Sequence, residues 1–129
     1  MYQKFDDIRT DEARALQVYL VLLGLAADRK TTTYGLLAKT LGFGGAGVFS
    51  GILGHIMFWC EQNKLPALTS LVVGGKSGIA SHGLVKAKDK DAAREEVYKF
   101  SWYDVVPPTA LDLEKAHQKG MAPFRKRKD

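Results

Sequence analysis

Four glycines fall within the six residues Gly42-Phe43-Gly44-Gly45-Ala46-Gly47, with apolar periodic segments on either side. A stretch so rich in glycine loses too much backbone entropy to hold a helix, and it predicts a turn. Upstream, Thr33 caps a short helix that faces Leu36, Leu37 and Leu41 inward. Downstream, Val48, Ile52, Ile56, Trp59 and Cys60 fall on one stripe of a helix over about Val48–Asn63, with Phe49 and Leu53 alongside. Leu65-Pro66 ends it, because proline disfavours helical geometry in the residue before it. Leu68–Val73 then reads as a strand, Gly74-Gly75-Lys76-Ser77-Gly78 as a turn, and Ile79–Val85 as the returning strand. Helix, turn, helix and two-stranded wing are the order of winged helix-turn-helix domains, which offer one helix to a groove of DNA. The glycine turn lacks the lysine and Ser/Thr of a phosphate-cradling loop and follows no strand.

The remaining segments are helical. Thr10 is an N-cap with Asp11 and Glu12 at the positive end of the helix dipole. Ala13, Leu16, Leu20, Leu23 and Ala27 carry this first helix to about Asp28. Tyr19, Val21, Leu22 and Leu25 make its far side apolar too, as in a helix central to the core or one that meets another subunit. Asp89–Phe100 forms a fourth helix with Ala93, Val97 and Phe100 inward, and Trp102-Tyr103 pack after it. Thr109 caps a last short helix that runs to Lys119 and is closed by Gly120, with Pro123–Asp129 disordered. The expected fold class is α+β, mostly α: a winged helix-turn-helix with an N-terminal helix and a C-terminal helical extension. One domain spans residues 1–124, and 125–129 form a basic disordered tail.

The length, 129 residues, suits one core without staples, and no run of about 18 apolar residues predicts a membrane span. The start of the chain lacks a secretion signal, and Cys60 is the single cysteine, so the expected location is a reducing cytosol. The net charge of +5 is unevenly spread. Residues 66–129 hold twelve Lys/Arg against eight Asp/Glu, and Arg125-Lys126-Arg127-Lys128 supply four of the twelve. Without that tail the body is a weak electrostatic footprint for nucleic acid.

Gly47, Gly51 and Gly54 recur at helical steps in the third helix and leave a strip flanked by Ser50, His55, Phe58 and Gln62. Each glycine costs about 1 kcal/mol inside a helix, so the strip serves close packing of the first helix, the approach of a sugar-phosphate backbone, or both at different glycines. Thr33-Tyr34-Gly35, Ala38, Leu41-Gly42, the helix with Gly51 and Gly54, Asn63, Leu65-Pro66, Val72-Val73, Gly78 and Gly83-Leu84 resemble the C-terminal DNA-binding domain of alkylguanine-DNA alkyltransferases. They are equally similar to the non-enzymatic alkyltransferase-like proteins. The resemblance spans about 54 residues. It implies that the third helix enters a minor groove and that Tyr34 helps rotate a nucleotide out of the stack. The family's Cys-His-Arg after the proline is missing, since Ala67-Leu68-Thr69-Ser70 follow Pro66. Its intercalating arginine is missing too, because Val48-Phe49-Ser50-Gly51 stand there. Phe49 is then an apolar wedge between bases or a core residue. A second run, Leu53-Gly54-His55-Ile56, Cys60, Asn63 to Thr69 and Val72-Val73, is similar to short proteins of bacteria and their phages.

No catalytic constellation emerges. His55, His82 and His117 lie far apart without metal-ligand spacing, Ser77 and Ser81 have no nucleophile context, and the acidic residues read as helix-face charges. Cys60 lies on a buried stripe with no cation to activate it. The expectation is a non-catalytic, cofactor-free and metal-free protein of alkyltransferase-like type, microbial or phage-encoded, that binds double-stranded DNA. Tyr34, Phe49, Ser50, Gly51, Gly54 and His55 would line the groove. Lys39, Lys76 and the tail Arg125, Lys126, Arg127 and Lys128 would contact phosphates. The alternative is an adaptor or inhibitor that uses the same fold to bind protein or a second copy of itself, because the third helix is apolar and poor in charge.

Overall fold

The computed structural model describes residues 1–8, 10–43, 49–74 and 90–126, with side chains as far as Phe124. Among the described residues there are five α-helices and one two-stranded parallel sheet: α1 (Asp11–Ala27), β1 (Thr32–Thr33), α2 (Tyr34–Leu41), α3 (Phe49–Gln62), β2 (Val72–Val73), α4 (Lys90–Lys99) and α5 (Ala110–Lys126). No helix among the described residues is long and apolar enough to cross a membrane.

Local chemistry sets most of the helix starts. The Thr10 hydroxyl accepts the Ala13 N–H at 3.3 Å, and the Thr33 hydroxyl accepts that of Leu36 at 3.1 Å. At α5, Thr109 and Asp112 close a reciprocal cap: the Asp112 N–H donates to the Thr109 hydroxyl (3.1 Å) and the Thr109 N–H to the Asp112 carboxylate (2.9 Å). Hydrogen bonding to the Thr109 backbone N–H, and next to its side-chain hydroxyl, holds the Asp112 carboxyl below its usual pKa. Two helix ends are less conventional. Arg29 and Lys64 take left-handed backbone angles (φ 55° and 57°), and the residue after each donates back into the helix, Lys30 to Leu25 and Leu65 to Cys60. This is the geometry of a glycine C-terminus carried by long cationic residues. The third helix therefore stops at Gln62, ahead of Pro66.

Tyr19, Val18 and Leu22 of α1, Phe49, Leu53 and Ile56 of α3, and Leu113 of α5 are fully buried in one core. Helices α1, α3 and α5 all contact one another, which accounts for the apolar far side of α1 as core surface; Leu20 is left exposed. Tyr19 stacks edge-on against Trp59 at 5.6 Å. Helix α4 buries Ala93 and Val97, and the Trp102 indole donates to the Val97 carbonyl at 2.8 Å.

Three expectations change. Leu68–Leu71 is a buried 3-10 turn, so only Val72–Val73 of the expected strand is extended. That strand pairs in parallel with Thr32–Thr33, Thr32 opposite Val72 and Thr33 opposite Val73. Its expected wing partner, Ile79–Val85, lies outside the described residues. Finally, α5 does not close at Gly120. It continues through Pro123 to Lys126, with the backbone of Arg125 and Lys126 helical. Gly120 serves packing instead, because a Cβ there would run into the Phe58 ring of α3.

Candidate functional site

Helix α3 is the central element, and its sequence decides which side chains reach solvent. Phe49, Ile52, Leu53, Gly54, His55, Ile56 and Cys60 are buried, which leaves Ser50, Gly51, Met57, Phe58, Glu61 and Gln62 along the exposed edge. That edge meets α5 across a groove of about 690 Å³. Met57 and Phe58 line it from α3, and Met121 and Phe124 from α5. Gly51 lends it bare backbone, Gly54 and Gly120 reach its lining beside His117 and Phe58, and Glu61, Gln62 and Lys119 stand at its margins. Gln62 ties the two helices by donating its side-chain amide to the Ala116 carbonyl at 2.9 Å.

The residues expected to line a DNA groove do not share one surface. Phe49 is fully buried, its ring 4.8 Å from that of Phe43 and 6.4 Å from that of Tyr34. It belongs to the core, and the wedge assignment is corrected. His55 is also buried; its Nδ1 lies 2.7 Å from the Gly51 carbonyl one turn back, and its ring stacks parallel on His117 at 4.0 Å. Gly54 is covered by that same His117, so the cover comes from α5 and not from α1. Gly51 is half-buried, and a Cβ there would meet only the Asp11 carboxylate at 3.9 Å. Tyr34 is half-buried against Phe49, and burial pushes its hydroxyl up to about 12. Ser50 and Lys39 are exposed. Lys76, Arg127 and Lys128, and the side chains of Arg125 and Lys126, lie outside the described residues.

A smaller hollow of about 420 Å³ opens where the chain's first residues meet α1, Phe43 and α3. Asp6 and Asp11 line it with Arg14, whose guanidinium bonds Asp6 (3.4 Å) and Gln17 (2.7 Å) and lies 4.4 Å above the Phe43 ring. Two carboxylates beside one engaged cation make poor company for phosphates.

Burial pushes the Cys60 thiol up to about 12, with a bond from the Leu68 backbone opposing it in part, so the thiolate needed of a nucleophile does not form near neutrality. Among the described residues no group of three or more His, Cys, Asp or Glu is gathered for a metal. The groove residues Met121, Phe124 and Gly120 escape sequence reasoning because Gly120 carries a local helix-stop signal. The spacing Leu113, Ala116-His117, Gly120-Met121, Phe124 carries the missed helical signal. No protein-family model, no curated protein and no solved structure matches the chain.

Proposed function

We propose that this chain is a non-catalytic protein-binding module, an adaptor or inhibitor, that receives its partner in the groove between α3 and α5. The apolar groove carries this reading. Monomeric domains rarely leave such a concave apolar surface uncovered, and interface centres favour aromatic residues and Met while excluding charge. Both methionines beyond Met1 line it, and Met is the side chain that best adapts to an incoming surface. Non-catalytic character is supported by the buried, unactivated Cys60 and by histidines that stack on each other.

A second reading, duplex-DNA binding of alkyltransferase-like type through a winged helix-turn-helix of α2 and α3, is favoured by one observation. The β1–β2 pairing sets Thr33 beside Val73, and so joins two stretches that carry the family resemblance. Against it stands a helix α3 with no Lys or Arg, its only charge being Glu61.

A photo-crosslinker placed at exposed Phe124 and another at exposed Thr40, remote from the groove residues in sequence, test the main reading. The expected result is one discrete protein adduct from position 124, lost on Met121→Glu, and none from position 40. A labelled duplex titrated at two salt concentrations should give no saturation to tens of micromolar. Tight duplex binding with a steep salt slope refutes the protein reading.

A further inference from the structure

Four aromatic residues fall within six positions at the end of α4, Tyr98, Phe100, Trp102 and Tyr103, and the groove between α3 and α5 uses none of them. They line a separate hollow of about 250 Å³ against the C-terminal end of α1. Trp102 is its fixed wall, buried and held by the bond from its indole N–H to the Val97 carbonyl at 2.8 Å. The Phe100 ring stands 4.7 Å from it at a steep 64°, so the two rings make a corner and not a flat patch. A 3-10 turn over Trp102–Asp104 then sets Tyr103 and Asp104 at the exposed rim. We propose that this hollow binds a small free organic cation of the choline type, its trimethylammonium group lodged against the aromatic corner. The site is independent of the protein-binding reading of the groove.

Three sources of negative potential meet there. The first is the rings, whose quadrupoles attract a cation placed over their faces. This cluster already holds one cation of the chain's own, since the Arg29 guanidinium lies 4.9 Å from the Tyr98 centroid. Arg29 does not line the hollow, and its charge is met by Glu95, whose two carboxylate oxygens accept from one guanidinium nitrogen at 2.9 and 2.7 Å. The second source is Asp104, the single charged side chain among the described lining residues. The third is α1 itself. Leu23, Ala26 and Ala27 bring the negative end of its dipole to the hollow, and its last turn carries no basic residue. An anion would meet all three unfavourably, and a neutral apolar ligand would use the rings alone. A bare ammonium is compact and strongly hydrated, whereas methyl groups spread its charge over an apolar surface that rings can cover. The Asp104 carboxylate at the rim repels the phosphate of a choline lipid, which favours the free cation.

The test titrates the full 15N-labelled chain with choline and, separately, with neohexyl alcohol, which has choline's shape without its charge. Choline should give saturable shifts at millimolar concentrations, confined to the amides of Ala26, Ala27 and Phe100–Asp104 and to the Trp102 indole N–H. Its affinity should exceed that of the alcohol about fivefold or more. Tyr103→Ala and Asp104→Asn alter exposed positions, where a melting curve can show the fold to be intact. Each should weaken choline about threefold or more, and Asp104→Asn should leave the alcohol unchanged. Glycerophosphocholine should bind more weakly than choline, and tighter binding overturns the free-cation assignment. Equal binding of choline and the alcohol shows an apolar crevice and overturns the proposal. So do choline shifts indifferent to Tyr103→Ala, or none at these amides to tens of millimolar. None of these outcomes bears on the groove, whose own crosslinking test stands apart.

Discussion

Alanine at Gly54 should make the protein more stable and its groove less useful, and the two effects can be measured separately. Gly54 sits inside α3, where glycine is about 1 kcal/mol less favourable than alanine. A Cβ there would lie 3.7 Å from Cδ2 and 3.9 Å from Nε2 of His117, ordinary contact that asks nothing to move. The propensity gain is therefore uncancelled. With an unfolding entropy of about 0.27 kcal/mol/K for a chain of this length, 1 kcal/mol raises Tm by about 4 °C. Gly120→Ala is the contrasting control. Its Cβ collides with the base and edge of the Phe58 ring, so overpacking of about 1–3 kcal/mol outweighs the same propensity gain and Tm falls. Urea and thermal unfolding of both variants give the signs. The adduct formed by the photo-crosslinker at position 124 gives the second readout, and a methyl group in the groove lining should lower its yield severalfold. If Gly54→Ala lowers Tm, the packing described at His117 is wrong. If it raises Tm and leaves the adduct yield untouched, the glycine does not keep the groove open for a ligand.

Phe49→Ala should cost about 3–5 kcal/mol, much of a typical domain's stability, because a fully buried ring is removed from between Phe43 and Tyr34; a loss below about 1 kcal/mol in chemical denaturation contradicts its core placement. The Tyr19 hydroxyl is buried without a hydrogen-bond partner among the described residues, and so Tyr19→Phe should be neutral or stabilising by about 1–2 kcal/mol, whereas a lower Tm would reveal a partner for it. Lys64→Gly relieves a left-handed residue at the end of α3 and should stabilise by about 1 kcal/mol, and an unchanged denaturation midpoint would deny the strain. Because the folded Asp112 carboxyl titrates below its unfolded value of 3.8, the α5 cap contributes fully above that pH and is lost as the pH falls through the folded pKa; amide exchange at Ala110–Leu113 that does not accelerate on acidification in wild type, relative to Asp112→Asn, rejects this.

Features written in three or four neighbouring residues were legible: Thr10, Thr33 and Thr109 cap the helices expected of them, and α1 to α4 begin and end within about two residues of the sequence reading. What escaped depends on residues far apart. The pairing of Thr32–Thr33 with Val72–Val73 joins segments of low local signal, and a parallel pair has no turn of its own to announce it. Gly120 and Pro123 carry strong local stop signals, yet α5 overrides them. Its continuation lets Met121 and Phe124 reach the groove, and the bare Gly120 admits the Phe58 ring.

The same override decides how the glycines of α3 are to be understood. Had α5 ended at Lys119, His117 would still lie over Gly54, but the groove would lack Met121 and Phe124. With α5 carried to Lys126, the strip becomes one side of a trough whose other wall holds Met121 and Phe124. Neither glycine is demanded by packing within the chain, while Gly120 is. The fold itself would accept alanine at either position with a gain of about 1 kcal/mol, so the two substitutions separate a strip that serves a partner from one that serves nothing.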